Sequence, residues 1–202
     1  TCSVVLIILV AIFGVRYYKR SHPKPVPIVP RPEVTLTIIP GWGLRQIAEY
    51  FVAQGFASTT ADVYTYTGEP ARDYRIAASI FPKLVDDLKI LEKKPEHVSY
   101  EGYIAPETYR VFKDATLLEV LKKFIAHRDE EITESMWADI EKAGRSLYEI
   151  LTIASLLEKE ARNPEDKAKI ADILERRLER NWALQLDSTV HYVADRSGDV
   201  FT

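Results

Sequence analysis

Two carboxylates stand where a helix should carry leucines. In "SLYEILTIASLLEKEARNPED" (146–166), Ser146 followed by Glu149 forms a capping-box pattern that starts a helix. At about 100° per residue, Leu147, Ile150, Ala154, Leu157 and Ala161 share one face. Ile153 and Leu156 widen that face on one side and Leu151 on the other. Glu160 then falls beside Ile153, Glu158 falls between Leu147 and Leu151, and Lys159 points to the polar side. This pattern predicts a helix wrapped by protein over more than half its circumference, with both carboxylates at the edge of the packing. Burial of a carboxylate disfavours its charged form. An acid still protonated near neutrality is what proton donation to a leaving group requires. The alternative is that each glutamate pairs with an arginine, and Arg162, Arg176 and Arg177 are available.

The residues that follow add polar groups. "NPED" supplies an Asn N-cap and a Pro at the first helical position, which predicts a second helix over 164–180. In "WALQLDSTVHYV" (182–193), Gln185, Asp187 and Thr189 alternate with Leu184, Leu186 and Val190. Alternation of this kind predicts a short strand that lines a cleft with three hydrogen-bonding side chains on one face, turned toward the helix bearing Glu158 and Glu160, a lining suited to a carbohydrate. An ordinary half-exposed strand has the same pattern.

Upstream elements must position these groups. "VTLTIIP" (34–40) alternates like a strand, and "GWG" (41–43) is a turn. "LRQIAEYFVAQGF" reads as a helix with apolar Leu44, Ile47, Ala48, Phe51 and Val52, closed by Gly55 as its C′ residue. Residues 58–94 are helical in pieces, with a break near Gly68–Pro70. "YEGYIAPETYRV" (100–111) is aromatic and turn-rich, suited to a strand or shaped loop. Residues 117–144 read as amphipathic helix, with the "HRD" at 127–129 on a solvated face. No internal repeat is visible.

The chain of 202 residues opens differently. Residues 3–15 are almost wholly apolar and are followed by "RYYKR", then by "SHPKPVPIVPRPE" (21–33) with five prolines. A full membrane span needs roughly 20 apolar residues, so the run is short as written. It has no small-residue cleavage site after it. The reading is an uncleaved transmembrane anchor over 1–20 and an extended, semi-rigid spacer over 21–33. By the positive-inside rule, Arg16, Lys19 and Arg20 would lie in the cytoplasm.

Several classes are excluded. A net charge of -3 argues against a general nucleic-acid partner. The single Cys2 rules out an internal disulfide framework and a multi-cysteine metal site. The histidines at 22, 97, 127 and 191 are scattered and no H-E-x-x-H occurs, so no metal site is expected. "GWG" lacks the third glycine of a dinucleotide loop, and "HRD" has no glycine-rich loop with it.

Four stretches resemble a known family, the YceG-like (MltG-family) endolytic murein transglycosylases of bacteria. "IIPGWGLRQIAEYFVAQGF" is similar to its LysM-like N-terminal subdomain. "YEGYIAPETY", "IASLLEKEA" and "RRLERNWALQLDSTVHY" are similar to its three other motifs. Leu186 and Ser188 depart from the Thr and Pro common there. The resemblance implies an α+β fold: an N-terminal anchor, a LysM-like α/β region over 34–112, and a helix-rich catalytic region with short strands over 113–202. It implies that the catalytic domain continues beyond Thr202, carrying further cleft wall. It implies a single-pass protein of the cytoplasmic membrane with the catalytic part outside, against the orientation expected from the basic flank.

The implied reaction is non-hydrolytic cleavage of the MurNAc–GlcNAc β-1,4 bond in peptidoglycan strands, leaving 1,6-anhydro-MurNAc ends without a cofactor. One glutamate then acts as acid and afterwards as base. Such enzymes place that glutamate before a small residue. Glu160 precedes Ala161, so Glu160 is the implied catalytic residue and Glu158 an ion-pair or supporting residue, or the alternative acid. Gln185, Asp187, Thr189 and Tyr192 match cleft positions and are implied to contact substrate or orient the acid, with Glu101 and Tyr109 as further candidates. Peptidoglycan synthases are the candidate protein partners. A non-catalytic, membrane-tethered peptidoglycan-binding or scaffolding protein is the alternative.

Overall fold

Alternation in "EVTLT" forms β1 (Glu33–Thr37), and alternation in "TYRVF" forms β2 (Thr108–Phe112). The two pair antiparallel, with Leu36 opposite Tyr109 and Val34 opposite Val111. Directly opposed residues share a sheet face. That face turns Leu36, Tyr109 and Val111 into the core, while Thr35, Thr37, Thr108 and Arg110 face outward. The computed structural model describes residues 12–14, 16–18, 30–72, 74–77 and 84–193. The chain divides into two units, Thr1–Pro32 and Glu33–Thr202.

In the first unit, residues 12–14 and 16–18 are helical, with Phe13, Tyr17 and Tyr18 exposed. Most of the expected anchor and spacer lies outside the described residues. Among those described, no helix is long and apolar enough to cross a membrane.

The second unit is helix-rich around the small sheet, a mixed α+β architecture. After β1 come α1 (Leu44–Ala53), α2 (Thr60–Thr67), α3 (Tyr74–Ala77) and α4 (Lys89–Glu92). After β2 come α5 (Leu117–Glu131), α6 (Glu134–Lys142), α7 (Leu147–Glu160), α8 (Pro164–Glu179) and α9 (Asp187–Val193). Local chemistry sets most boundaries. α1 ends in a Schellman motif: Phe56 N donates to Phe51 O, Gly55 N donates to Val52 O, and Gly55 takes φ +78°. Thr59, Thr116 and Ser146 cap α2, α5 and α7, each in a reciprocal pair with an acidic residue three positions on. Asn163 caps α8, with Pro164 at its first position as expected.

One core joins the sheet to α1 and α5. Leu44, Ile47, Ala48 and Phe51 bury one face of α1, and Leu117, Val120, Leu121, Phe124 and Ile125 one face of α5. The Tyr109 ring stacks on Phe124 at 3.7 Å between centroids, and Phe51 meets the same Phe124 ring at 5.7 Å. This core crosses residue 112 without a break. Tyr109 is therefore a core residue, its hydroxyl donating to Ala105 O at 2.8 Å, rather than a cleft residue. Tyr103, Ile104 and Ala105 are buried beside it, so much of the "EGYIAPETY" stretch is a packing motif.

Three expectations are corrected. The 117–144 helix breaks at Ile132, because the Thr133 side chain accepts from Met136 N and starts α6. The "HRD" is not merely a solvated face. Arg128 donates to Ile104 O at 3.2 Å, and Asp129 accepts from Ile90 N at 2.8 Å, tying α5 to the 104 turn and to α4. The strand expected over 182–193 is instead a turn followed by α9. Gln185 takes φ +55°, which interrupts any extended run, and Thr189 bonds Leu186 O through both its N and its Oγ1. Short apolar alternation is ambiguous between strand and helix. Here Leu186, Val190 and Val193 also satisfy helical spacing.

Lys94 provides a stability probe. Its ammonium lies 4.5 Å over the Tyr100 ring and donates to the carbonyls of Pro95 and Val98. Burial lowers its pKa from 10.5 to about 8. Between those values the unfolded chain binds more protons than the folded one, so this group makes stability rise with pH. Urea midpoints measured from pH 7 to 9.5 should climb more steeply in the wild type than in Lys94→Met; equal slopes would contradict the burial effect.

Candidate functional site

The C-terminal end of α7 carries Glu158 and Glu160, but not in the wrapped setting expected. Leu147 is the one fully buried residue of α7 among those described. Glu158 is exposed and Glu160 half-buried. The apolar arc of α7 is only partly covered by α8 and α9, the two helices that pack on it.

The two glutamates have different partners. Glu158 is ion-paired with Lys167 of α8 rather than with any of the three arginines considered. The carboxylate of Glu160, the last residue of α7, makes no hydrogen bond or ion pair with a described residue. Lys159 does not run free into solvent: its Nζ donates to Gly41 O at 2.8 Å. Gly41 takes φ +83°, and a Cβ there would stand 3.9 Å from Glu158 Cγ. The "GWG" turn thus touches the end of the acid-bearing helix, a contact that no local sequence signal announces.

Glu101 is the other polar centre. Its carboxylate accepts from Leu44 N at 2.9 and 3.2 Å, filling the N-terminal end of α1, where amide groups lack helical partners. Gly43 permits this approach, since a Cβ there would lie 3.3 Å from Glu101 Oε1 and from Gln46 Oε1. Tyr192 donates its hydroxyl to Glu101 Oε2 at 3.1 Å and accepts from Ala71 N at 3.1 Å. Arg45 donates to Tyr192 O at 2.9 Å and lies 5.4 Å over the Tyr192 ring.

Burial raises the Glu101 pKa, opposed by the Leu44 amide, the Tyr192 hydroxyl and the charges of Arg45 and Lys159. Burial, then the negative charge of Glu101, pushes the Tyr192 phenol upward. Glu101 and Tyr192 therefore hold each other and the backbone.

The remaining candidates are placed by α9. Gln185 precedes the helix and is exposed, Asp187 is exposed, and Thr189 is half-buried with its hydroxyl on Leu186 O. Positions 187 and 189 are about 200° apart on a helix, so the three do not share the single inward face that a strand would have given them. Helical spacing instead turns Ser188 and His191 inward. Ser188 Oγ and His191 Nδ1 are both buried and without a partner among the described residues. Sequence reasoning missed this pair because it counted in twos. Among the described residues, no cluster of His, Cys, Asp and Glu could hold a metal ion.

The raised pKa of Glu101 has a sign that can be tested. The folded state keeps the proton to higher pH than the unfolded chain. The associated stability is present below the ordinary carboxylate range and is lost as pH rises through the folded value. Glu101→Gln should flatten the fall in thermal midpoint above pH 4.5 and should not lower the midpoint at pH 7. A midpoint several degrees lower at neutral pH would show that the charge stabilises the fold.

Comparison with known proteins places the chain. Two proteins called endolytic murein transglycosylase, from Streptococcus pneumoniae strains D39 and R6, are 29% identical over 167 residues, covering 81% of this chain and 30% of each relative. A protein of the same name from Bacillus subtilis strain 168 is 34% identical over 119 residues, 59% of this chain and 32% of that protein. The chain thus spans about a third of the length of these curated relatives. The crystal structure of a YceG-like protein from Listeria monocytogenes shares the fold with a TM-score of 0.63 at 29% identity, over 84% of this chain and 55% of that one. The sequence model of the YceG-like family matches residues 24–201. From the strand at Glu33 to the helix bearing Tyr192, this chain belongs to the YceG-like family.

Proposed function

We propose that the chain is the acid-bearing part of an endolytic lytic transglycosylase, cleaving MurNAc–GlcNAc β-1,4 bonds in peptidoglycan strands. The observation that carries this reading is the contrast between two glutamates one residue apart on α7. Glu158 is committed to Lys167, while Glu160 is half-buried with a carboxylate unclaimed by described residues. Membership of the YceG-like family, with relatives that carry the transglycosylase name, supports the same assignment.

In this reading Glu160 donates its proton to the glycosidic oxygen as the C1–O bond breaks. The C6 hydroxyl of the same sugar attacks C1, and its proton passes to the Glu160 carboxylate. The products are a 1,6-anhydro end and a free C4 hydroxyl, with the acid restored. A hydrolase needs a second carboxylate to act on water or on the sugar. An intramolecular attack has no such need, and proximity supplies much of the rate. Gln185, Asp187 and Thr189, at the start of α9, are the polar groups offered to sugar hydroxyls.

The arrangement β1–α1–α2 closed by β2 supports a LysM-like, glycan-gripping role for residues 34–112. The apolar run at 3–15 and the proline-rich stretch after it support an anchor and spacer that hold the domain outside the cytoplasmic membrane, near peptidoglycan synthases.

In the full-length protein, Glu160→Gln should cut release of anhydro-muropeptide ends from glycan strands by about 10²–10⁴-fold, the usual contribution of general acid–base assistance. Glu158→Gln removes only a partly exposed ion pair and should cost less than about tenfold. The reverse order would exchange the two roles, and full activity in both would remove the acid from α7. Membrane attachment has its own measurement: the full-length protein should stay with membranes through a high-salt wash, and release into the soluble fraction would refute the anchor.

A further inference from the structure

The end of the acid-bearing helix and the helix beside it are both tied to one short stretch, Gly41–Arg45. From α7, Lys159 Nζ reaches Gly41 O at 2.8 Å. From α9, Arg45 donates to Tyr192 O, and the Tyr192 hydroxyl reaches Glu101 Oε2. Glu101 in turn accepts from Leu44 N at 2.9 Å. The Tyr192 hydroxyl also takes the Ala71 amide, adding the turn after α2.

These ties matter because apolar packing fixes little in this region. Across α7, α8 and α9, only Leu147 and Leu174 are buried among the described residues. Trp182, Val190 and Val193 are exposed. Helices that share so few buried side chains can slide by an ångström at small cost, and misplacement of that size is enough to slow a reaction about 10²-fold.

We propose that Glu101 and Tyr192 are a positioning pair: the carboxylate holds the Tyr192 hydroxyl on the α1 N-terminus, and this sets α9 against the Glu160 end of α7. Neither residue touches substrate in this role. Glu101 is the joint, facing the charges of Arg45 from α1 and Lys159 from α7 as well as the Tyr192 hydroxyl from α9. Neutralising it would loosen both ties at once. The burial that pushes its pKa upward means that ionisation costs stability, which fits a charge kept for geometry rather than for folding.

The kinetic arm of the test rests on the glycan-cleaving reading; the exchange arm does not. In the full-length protein, Glu101→Gln and Tyr192→Phe should each lower kcat by about 10–100-fold, the scale of one charge-assisted hydrogen bond, with KM changed less than about twofold. The double variant should be no slower than the slower single variant, since both break the same link. Losses that multiply, or that appear in KM alone, would make the two residues independent substrate contacts and overturn the proposal.

Hydrogen exchange supplies the second arm. The Ala71 amide should be protected in the wild type and exchange at least tenfold faster in Tyr192→Phe. Unchanged protection would overturn the pairing whatever the kinetics show. If the wild type releases no anhydro ends, the glycan-cleaving reading fails, and the Ala71 amide alone decides the pair.

Discussion

Phe124 is the side chain around which the second unit is organised. It is fully buried, stacked by Tyr109 from β2 and met by Phe51 from α1. Through it the two-stranded sheet acquires a helix on each side of its sequence, since α1 follows β1 and α5 follows β2. A lone two-stranded sheet is marginal in water. Here its apolar face is completed by Leu44, Ile47 and Phe51 from one helix and by Leu121, Phe124 and Ile125 from the other. The antiparallel register depends on the same constraint, because a slip of one residue would turn Leu36 and Tyr109 to solvent.

This core has a polar border where α1 begins. The first amides of α1 have no intrahelical partner, and a carboxylate from 57 positions away fills the place. Glu101 reaches it because the chain between Tyr100 and Tyr103 turns sharply, with Gly102 at φ +81° and Tyr103 N bonded to Tyr100 O. The buried aromatic side chains of Tyr100 and Tyr103 hold that turn down. The acid is thus positioned by apolar packing on both sides, and its desolvation is only partly offset by a helix end, a phenol and two cations. The Gly41–Gly43 turn that leads into α1 also presents Gly41 O to Lys159, so the start of one helix and the end of another meet at a single turn.

The region bearing Glu158 and Glu160 is built on different physics. α7 starts in a capping box and α8 on the Asn163 cap, and this layer carries the ion pairs Glu158–Lys167 and Arg145–Glu175. Surface pairs of this kind contribute little each, and few side chains are buried beneath them. The contrast between a dry aromatic core and a lightly packed helical layer is the main structural division of the unit.

Much of this was legible one residue at a time. Caps at Ser146 and Asn163, the left-handed Gly55, the apolar faces of α1 and α5, and the alternation in β1 are local, and local energetics decide them. Thr133 carried its signal too, in a side chain placed three positions before Met136, but the longer apolar period masked it. The candidate acid at Glu160 was legible as a carboxylate on an apolar helix, together with motifs shared by the YceG-like family.

Other features depend on segments far apart in the chain, and periodicity contains no information about them. A six-residue alternation could not separate strand from helix, so the inward residues of α9 became Ser188 and His191 instead of Asp187 and Thr189. The apolar arc of α7 predicted burial, but how much of an arc is covered depends on which neighbours arrive, and α8 and α9 cover only part. That Glu101 meets Leu44 N and the Tyr192 hydroxyl was not legible, because only the folded backbone brings both within hydrogen-bond reach. Sequence alone determined which segments become helices and where the charged groups sit along them. Only the tertiary structure decided which charges meet, because a carboxylate binds whatever donors the packing of distant apolar residues delivers to it.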